Sequence, residues 1–261
     1  MPEVLTFPRA AEAASALGSG AHMLGGGTLL MRAVNYGDQS IQRIVRTTDP
    51  EMMAIRSEAG RIVIGAGVTM SALIASRDTD FLAPAARAIG GPAIRNMATV
   101  GGNLFAAHPY GDLTVALLAL DAQVRTSAGD MPLDQFLTNR AGLVLAVTVA
   151  RPSGDAFRFR KVSRVKPKGV SLMSMAALLN RSAGRLANVR VAYGAMGPVP
   201  TRVTAVERAL EGASLDATGI APALAVATDG LDPPDDALAS AWYRREVAPV
   251  HLRRLLLGED R

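Results

Sequence analysis

Two short glycine-rich segments carry residue types that suit an anion site. The first, Gly25–Thr28, follows a short apolar stretch, and the second, Thr99–Asn103, combines a glycine pair with hydroxyl and carboxamide side chains. A glycine leaves its backbone N–H open to a ligand, and the start of a helix adds unpaired N–H groups, so each segment could hold a phosphate. A tight turn without a ligand is the alternative interpretation of the first loop.

The first loop does not match the standard phosphate-binding motifs. Leu29 and Leu30 follow its glycines, so G-x-G-x-x-G is absent at this point, and no lysine follows as in a P-loop.

Further along the chain, the carboxylate of Asp112 could accept hydrogen bonds from the hydroxyl groups of a ribose or ribityl chain. It could equally cap the helix that follows it.

Residue types that are rare or absent exclude several kinds of site. The sequence has no cysteine, and its three histidines, His22, His108 and His251, are widely spaced. A disulfide scaffold, a protein-borne iron–sulfur cluster, a zinc–thiolate centre and a cysteine nucleophile are therefore excluded. A site built from several histidines is not expected either, and we predict no metal on this chain.

The lysines are concentrated in one segment. The 261 residues carry a formal charge of +5, and all three lysines lie within the basic segment Phe157–Gly169. This segment is interpreted as a solvated loop or strand edge, an anion contact, or a docking patch for an acidic partner. Aromatic residues are few and are not interleaved with the basic ones, so nucleic-acid binding is not expected.

The composition is that of a globular protein. Apolar residues make up 49% of the chain and charged residues 20%, and the length suits one large or two modest domains. The longest apolar run, Ala141–Ala150, is too short to span a bilayer, and residues 1–6 lack the features of a signal peptide. We therefore expect a cytoplasmic protein without a membrane span.

Short strands and helices must position the two loops. Thr28 is predicted to cap a helix, and Thr69 or Ser71 to begin another. A change of composition at Arg151–Asp155 marks a domain boundary, after which strands precede helices, as in a small α+β domain. The strands predicted there are residues 156–165, 171–180 and 189–195, and the helices are residues 201–211, 218–227 and 238–257.

The last predicted helix is amphipathic and carries the one tryptophan of the chain. Trp242 and the neighbouring Tyr243 are expected to pack in the core of the second domain.

Several segments, in order, resemble the FAD-binding (medium) subunit of the molybdenum hydroxylases, the family that includes xanthine dehydrogenase and aerobic carbon monoxide dehydrogenase. The longest match runs from Ala85 to Leu113 and contains the second loop. The other matching segments are Leu24–Leu30, Ile64–Thr69, Phe159–Arg164, Val191–Pro198 and Ser240–Arg245. Together they cover nearly the whole chain.

The resemblance implies an α+β fold. Residues 1–155 would form a vanillyl-alcohol-oxidase (PCMH)-type FAD-binding domain of two subdomains, about 1–55 and 56–155. Residues 156–261 would form a small α+β C-terminal domain with a three-stranded sheet and helices.

The resemblance also implies that the two loops hold FAD, bound non-covalently. One loop would cradle the diphosphate from one side and the second loop from the other, since two negative charges need several donors. The residues that this assigns to the cofactor are Met23, Leu24, Gly25, Gly26, Gly27, Thr28, Leu29, Leu30, Thr99, Val100, Gly101, Gly102 and Asn103.

Five further residues are assigned to the cofactor by the same resemblance. Asp112 would bind the polyol side of the flavin, and Ile89 and Val144 would line the pocket. Phe159 would lie near the isoalloxazine ring, and Lys161 would lie close to the cofactor. The positive charge of the basic segment would favour the reduced, anionic flavin.

Two positions depart from the pattern of the family. Many relatives carry an acidic or polar residue in place of Leu29, so one ribose or adenosine contact would be missing or replaced. His108 stands where relatives have a small polar residue. It is a surface-loop histidine, or it shapes the flavin edge or a partner contact.

As a member of this family, the chain would be the FAD-carrying electron-transfer subunit of a heteromeric hydroxylase or dehydrogenase. A large subunit would carry the molybdenum cofactor and a small subunit two [2Fe–2S] clusters, in a heterotrimer or a dimer of heterotrimers. Electrons would leave to an acceptor such as NAD, oxygen or another carrier. No catalytic residue is expected, because the flavin performs the redox chemistry. A stand-alone FAD-dependent oxidoreductase and a flavin-free assembly subunit are the alternatives.

Overall fold

A computed structural model describes residues 2–165 and 169–259 of the chain. Contacts between Cα atoms divide the chain into two compact units. The first contains the residues up to Asp80 together with Gly90–Ala106 and Ala122–Ala150. The second contains Phe81–Ile89, Ala107–Asp121 and the chain from Arg151 onward. The division into domains at residue 155 stays a prediction.

The secondary structure consists of fourteen strands and eleven α-helices in the described residues. The strands are β1 (Glu3–Phe7), β2 (Ala21–Met23), β3 (Arg43–Thr47), β4 (Ile55–Glu58), β5 (Arg61–Gly65), β6 (Gln123–Thr126), β7 (Gly129–Pro132), β8 (Val144–Ala150), β9 (Phe157–Val162), β10 (Met173–Leu178), β11 (Arg181–Ser182), β12 (Arg185–Leu186), β13 (Arg190–Gly194) and β14 (Thr201–Arg202). The helices are α1 (Ala10–Ser15), α2 (Leu30–Asn35), α3 (Met70–Ala75), α4 (Ala83–Arg87), α5 (Pro92–Arg95), α6 (Val100–Leu104), α7 (Asp112–Ala119), α8 (Leu133–Asn139), α9 (Thr204–Leu210), α10 (Ala221–Ala225) and α11 (Ala241–Leu257). Two 3₁₀ helices span Pro50–Met53 and Arg77–Leu82.

The first unit contains two sheets. A three-stranded parallel sheet has the order β1-β3-β2, with β3 in the centre, where Ile44 and Val45 are buried. A five-stranded antiparallel sheet has the order β4-β5-β8-β6-β7. Its β5 strand buries the consecutive β-branched residues Ile62, Val63 and Ile64, so both faces of this strand are covered.

The second unit is built on an antiparallel sheet of order β14-β13-β10-β9. The three strands predicted for this part of the chain are present as β9, β10 and β13, and the two-residue β14 extends the sheet at one edge. Helices α9, α10 and α11 cover a core formed by residues such as Met173, Val191 and Leu252. All eight residues of α7 are also buried in this unit, including the polar residues Asp112 and Thr114, so every side of this short helix is covered.

Two expectations about helices are wrong. Thr28 does not cap α2: the N-cap residue is Leu29, and no side chain caps this helix. Trp242 and Tyr243 do not pack in the core, since 68% and 45% of their respective surfaces are exposed. The buried stripe of α11 includes Arg244, and its neighbours Trp242 and Tyr243 therefore lie on the opposite face.

The start of α3 is one of the two that the sequence predicts. Thr69 is the N-cap of α3, and its hydroxyl accepts a hydrogen bond from the N–H of Ala72 at 3.2 Å. Ser240 caps α11 in the same way, although this cap was not predicted from the sequence. Within the described ranges, no helix has both the length and the apolar character needed to cross a membrane.

Candidate functional site

The first glycine loop joins β2 to α2 in the first unit. The N–H of Leu24 still donates to the carbonyl of Val45 at 2.7 Å, which continues the parallel pairing by one residue. The backbone N–H groups of Gly25 to Leu29 donate to no acceptor in the described residues. The loop therefore offers five successive donors, which is the arrangement that binds anions.

The first two glycines of this loop are required for close packing. A Cβ atom on Gly25 would lie 2.6 Å from Thr99 Oγ1, and one on Gly26 would lie 1.6 Å from the carbonyl oxygen of Met97. Neither glycine has a positive φ, so it is the available space that excludes a side chain. Only Gly27 adopts the left-handed conformation, with a φ of 71°.

The second glycine loop forms the start of α6, also in the first unit. Thr99 is the N-cap, and its Oγ1 accepts a hydrogen bond from the N–H of Gly102 at 3.1 Å. The N–H of Gly101 donates to the carbonyl of Ala66 at 2.8 Å. The expectation that the N–H groups of Gly101 and Gly102 are open to a ligand is therefore wrong for this structure, because the helix cap and the neighbouring loop already accept from both.

Most of the second loop lies inside the first unit. Thr99, Val100, Gly101 and Asn103 are buried, and only Gly102 is exposed. The Asn103 side chain turns inward and donates to the carbonyl of Thr99 at 3.0 Å. A Cβ atom on Gly102 would meet only Thr99 Oγ1, at 3.1 Å, and otherwise has open space.

The two loops are thus in contact and have different properties. The backbone of Gly102 lies 3.8 to 3.9 Å from the position of a Cβ on Gly25. One loop supplies free N–H groups, and the other supplies an exposed glycine surface without a side chain. A diphosphate needs several donors and close approach to the backbone, so this arrangement fits one.

A second cluster of polar residues lies inside the second unit. The Lys161 ammonium donates to Asp112 Oδ2 at 2.9 Å and to the carbonyl of Ala88 at 2.8 Å. The Ser171 hydroxyl donates to the other carboxylate oxygen, Asp112 Oδ1, at 2.5 Å. Both oxygens of Asp112 therefore have a partner from within the chain, and Ile89 directly follows the residue that accepts from Lys161.

The structure answers the question of whether Asp112 caps a helix. Gly111, with a φ of 100°, is the N-cap residue of α7, and Asp112 is the first helical residue. The carboxylate of Asp112 makes tertiary contacts to Lys161 and Ser171, which lie on or beside the strands of the sheet. Ser171 could not be predicted as a partner of Asp112, because a lone serine 59 residues away in the sequence gives no local signal.

Two arginines of the basic segment bind backbone carbonyls at the C-terminal end of α11. Arg158 donates to the carbonyls of Leu255 and Leu256, and Arg160 donates to that of Glu259 at 2.9 Å. Arginines at a helix C-terminus satisfy carbonyl groups that have no partner within the helix. Lys166 and Lys168, the candidates for a docking patch, lie outside the described residues.

His108 belongs to a charged network in the second unit. Its Nε2 atom lies 2.9 Å from Asp236 Oδ2, and Asp236 also accepts two hydrogen bonds from the fully buried Arg244. Burial alone would raise the pKa of Asp236, but hydrogen bonds from His108, a backbone N–H group and Arg244 outweigh burial and hold that pKa well below its ordinary value of 3.8. This network connects residues 128 positions apart, so no pattern in the sequence could have revealed it.

The remaining predicted residues fall in both units. Met23 ends β2 and Val144 begins β8 in the first unit, and Val144 is buried. Phe159 lies in the middle of β9 in the second unit, where it pairs with Ala176. Ile89 follows α4 in the same unit.

Comparison with known proteins identifies relatives along the whole chain. Residues 4–148 match the family model described as the FAD binding domain in molybdopterin dehydrogenase. Residues 158–258 match the model described as the CO dehydrogenase flavoprotein C-terminal domain.

Individual relatives carry names of the same kind. The glyceraldehyde dehydrogenase medium chain of Sulfolobus acidocaldarius is 30% identical over 64% of this chain and 63% of its own length. The carbon monoxide dehydrogenase medium chain of Afipia carboxidovorans is 28% identical over 91% of this chain and 88% of its own. A solved carbon monoxide dehydrogenase from Hydrogenophaga pseudoflava superposes with a TM-score of 0.88 at 25% identity, covering 98% of this chain and 96% of that one.

Proposed function

We propose that this chain, which belongs to the family of FAD-binding medium subunits of the molybdenum hydroxylases, is an electron-transfer subunit of a heteromeric dehydrogenase or hydroxylase. Membership in this family follows from the two family models, which together cover most of the chain. The chain is thus the FAD subunit of an oxidoreductase.

One observation supports the binding mode most directly: the run of free N–H groups from Gly25 to Leu29 beside the exposed surface of Gly102. These donors would hold the diphosphate of FAD, and Gly102 would allow it to approach the backbone. Glycines at these positions avoid a side chain in the path of the phosphates. The roles of Thr99, Val100, Gly101 and Asn103 as direct ligands stay predictions.

The chain's own contribution is to bind and orient the cofactor. When bound, FAD supplies the redox chemistry, with electrons arriving from [2Fe–2S] clusters of a partner and leaving to NAD, oxygen or another carrier. We propose cofactor contacts for five further residues as well: Ile89, Asp112, Val144, Phe159 and Lys161. No side chain of this chain is assigned as an acid, a base or a nucleophile.

The proposed partners are a large subunit with the molybdenum cofactor and a small subunit with the iron–sulfur clusters. The names of the relatives support this, because they describe medium chains or medium subunits. A dimer of such heterotrimers is the proposed larger assembly. The described residues contain no group of three or more acidic or histidine side chains that could hold a metal ion, and the proposal places the metals on the partners.

The experiment that tests this function is an absorption spectrum of the purified chain, followed by identification of any cofactor released on denaturation. Flavin bands and released FAD are the expected result. A chain that stays colourless with added FAD, both alone and co-purified with its partner subunits, would favour the flavin-free assembly subunit. Turnover of an organic substrate by the chain without partners would favour the stand-alone oxidoreductase.

A further inference from the structure

We propose that Met53 is an oxidation site of this chain, and that its conversion to the sulfoxide by hydrogen peroxide weakens the binding of FAD. The inference rests on the proposed function, because the property that it changes is the affinity of this chain for FAD. It goes beyond that function by assigning a chemical modification to a residue outside both glycine loops.

Sulfur occurs in this chain only as methionine thioether, since the sequence has eleven methionines and no cysteine. A thioether reacts with peroxide most readily where it is exposed. Three methionines are exposed in the described residues: Met31 by 37%, Met53 by 54% and Met97 by 55%. Met52 and Met70 are exposed by only 5% and 0%. Peroxide should therefore oxidise the first three well before the last two.

Met53 differs from the other exposed methionines in what its sulfur touches. It ends the 3₁₀ helix Pro50–Met53. A Cβ atom on Gly67 would lie 2.6 Å from Met53 Sδ and 2.7 Å from Met53 Cε, so the thioether packs directly on the backbone of this glycine. Met31 meets Gly27 through its Cβ and Cγ atoms, and no side-chain atom of Met97 is among the nearest neighbours of a glycine.

Gly67 belongs to the turn that follows β5, residues 65–68, and the 3₁₀ helix holds one side of this turn. The N–H of Gly67 donates to the carbonyl of Met52 at 2.7 Å, and the N–H of Gly65 donates to that of Ala54 at 2.9 Å. The residues on both sides of Met53 thus bind the turn, and the position of the turn depends on them.

The other side of the same turn holds the start of the second glycine loop. The N–H of Gly101 donates to the carbonyl of Ala66 at 2.8 Å, and the N–H of Val100 donates to that of Val68 at 2.9 Å. A Cβ atom on Gly101 would lie 3.0 Å from Ala66 Cβ, so the turn and the loop are in close contact. A displacement of the turn would therefore move the loop in which Gly102 is proposed to face the diphosphate.

The oxidation transfers one oxygen atom and two electrons. A lone pair of Met53 Sδ attacks one oxygen of hydrogen peroxide, the O–O bond breaks, and the departing hydroxide takes the proton of the transferred hydroxyl group. The products are the sulfoxide and one molecule of water, so the sulfur is oxidised and the peroxide is reduced. Hydrogen peroxide is also the product of the two-electron reduction of oxygen, one of the acceptors named in the proposed function.

The sulfoxide does not suit the place where the thioether packs. Oxidation makes an apolar group polar and adds an oxygen atom to the sulfur. Met53 Sδ and Cε already fill the space beside Gly67, so the modified side chain either turns toward water or displaces the turn. In both cases the contact between Met53 and Gly67 is lost, and the turn no longer holds the second loop in the same position.

The test compares the full-length wild-type chain with Met53→Leu and Met97→Leu, each before and after mild treatment with hydrogen peroxide. Flavin fluorescence titration measures the dissociation constant for FAD, and peptide mass spectrometry measures the oxidised fraction of each methionine. Before treatment the three proteins should bind FAD alike, because leucine conserves the volume and polarity of methionine. Met97→Leu is the matched control, because Met97 is as exposed as Met53.

After treatment, the wild-type chain and Met97→Leu should bind FAD about tenfold more weakly. Met53→Leu should retain its affinity within about twofold. Met31 is present in all three proteins, so its oxidation affects them equally. Methionine sulfoxide reductases should restore the affinity of the oxidised wild-type chain.

A second measurement does not involve the cofactor. The melting temperature of the FAD-free wild-type chain should fall by a few degrees on oxidation, because the packing of the 3₁₀ helix on the turn is lost. The melting temperature of Met53→Leu should not change on the same treatment.

The outcomes separate this inference from the proposed function. Three results would overturn the inference and leave the FAD site standing: equal losses of affinity in oxidised Met53→Leu and Met97→Leu, unchanged affinity of a wild-type chain whose Met53 is fully oxidised, or a Met53 that reacts no faster than Met70. A wild-type chain that binds no FAD before treatment, alone or with its partners, would overturn both.

Discussion

The ammonium of Lys161 and the carboxylate of Asp112 form an ion pair of 2.9 Å, with only 11% and 6% of the respective side chains exposed. Each charge is therefore compensated inside the second unit before any ligand is considered. The Ser171 hydroxyl completes the set of partners of Asp112. If Lys161 favours an anionic flavin, it does so as part of this neutral pair, and not as an isolated positive charge.

Removal of one partner of this pair should be strongly destabilising. Lys161→Met leaves a buried carboxylate with Ser171 as its remaining side-chain partner, and we expect the free energy of unfolding to fall by about 3 kcal/mol. The double variant Lys161→Met/Asp112→Asn should lose less than the sum of the single variants, because it leaves no unpaired charge. Urea denaturation of the FAD-free chain measures both effects.

The control for this prediction is an ion pair on the surface. Arg190 and Asp121 lie 2.8 Å apart, but 28% and 53% of their side chains are exposed. Arg190→Met should cost no more than about 1 kcal/mol. A cost for Lys161→Met as small as this would show that the buried pair contributes little to stability.

Substitution of Gly102 should weaken FAD binding and leave the stability of the fold nearly unchanged. Gly102→Val places a branched side chain on the exposed surface where the diphosphate is proposed to approach, and we expect FAD affinity to fall by about 100-fold or more. The melting temperature of the FAD-free chain should change little, because Thr99 Oγ1 is the one neighbour within 4 Å of the new Cβ. Full retention of FAD in this variant would show that Gly102 is not part of the FAD site.

Gly26 should be sensitive to the smallest possible side chain. In Gly26→Ala the new methyl group would lie 1.6 Å from the carbonyl oxygen of Met97, so the loop must move. We expect the variant to lose most of its FAD and to melt several degrees lower, since a clash with backbone cannot be relieved by a rotamer change. Gly18→Ala is the matched control, because nothing lies within 4 Å of its Cβ, and it should behave like wild type.

The network of Asp236 predicts a dependence of stability on pH. Its pKa is lowered in the folded chain below the ordinary value of 3.8, so its contribution is fully present above that pH and is lost as the pH falls. Asp236→Asn should therefore cost about 2 kcal/mol at pH 7, and its stability should fall less steeply below pH 4 than that of wild type.

Denaturation at a series of pH values checks this prediction. Asp130→Asn serves as a control, because the Asp130 side chain is 64% exposed and its ion pair with Arg125 is long, at 3.6 Å. Identical acid profiles for wild type and Asp236→Asn would show that this carboxylate does not contribute to acid denaturation.

The sequence predicted the properties that depend on motifs and on residues close together in the chain. The resemblance to the molybdenum hydroxylase FAD subunits was confirmed over both parts of the chain, and so was the α+β architecture. The N-cap at Thr69 and the strands β9, β10 and β13 could also be predicted, since capping and apolar runs are local properties.

Other properties depended on contacts between residues far apart in the sequence. The two glycine loops look alike as sequences, with glycines beside a threonine, yet the glycine N–H groups of the first are free and those of the second are not. The difference arises because Ala66 and the Thr99 hydroxyl accept from the second loop, whereas no described residue accepts from the N–H groups of the first. The prediction that Trp242 packs in the core was wrong, because the composition of α11 does not say which face the sheet will cover.

The sequence by itself therefore determined the family, the cofactor class and the positions of the glycines, because these depend on residue identity and order. Only the tertiary structure decided which backbone donors stay free, that Asp112 pairs with Lys161 and Ser171, and that His108 joins Asp236 and Arg244. Hydrogen bonds have short reach and fixed direction, so their partners are known only when the folded chain brings distant residues to within about 3 Å of each other.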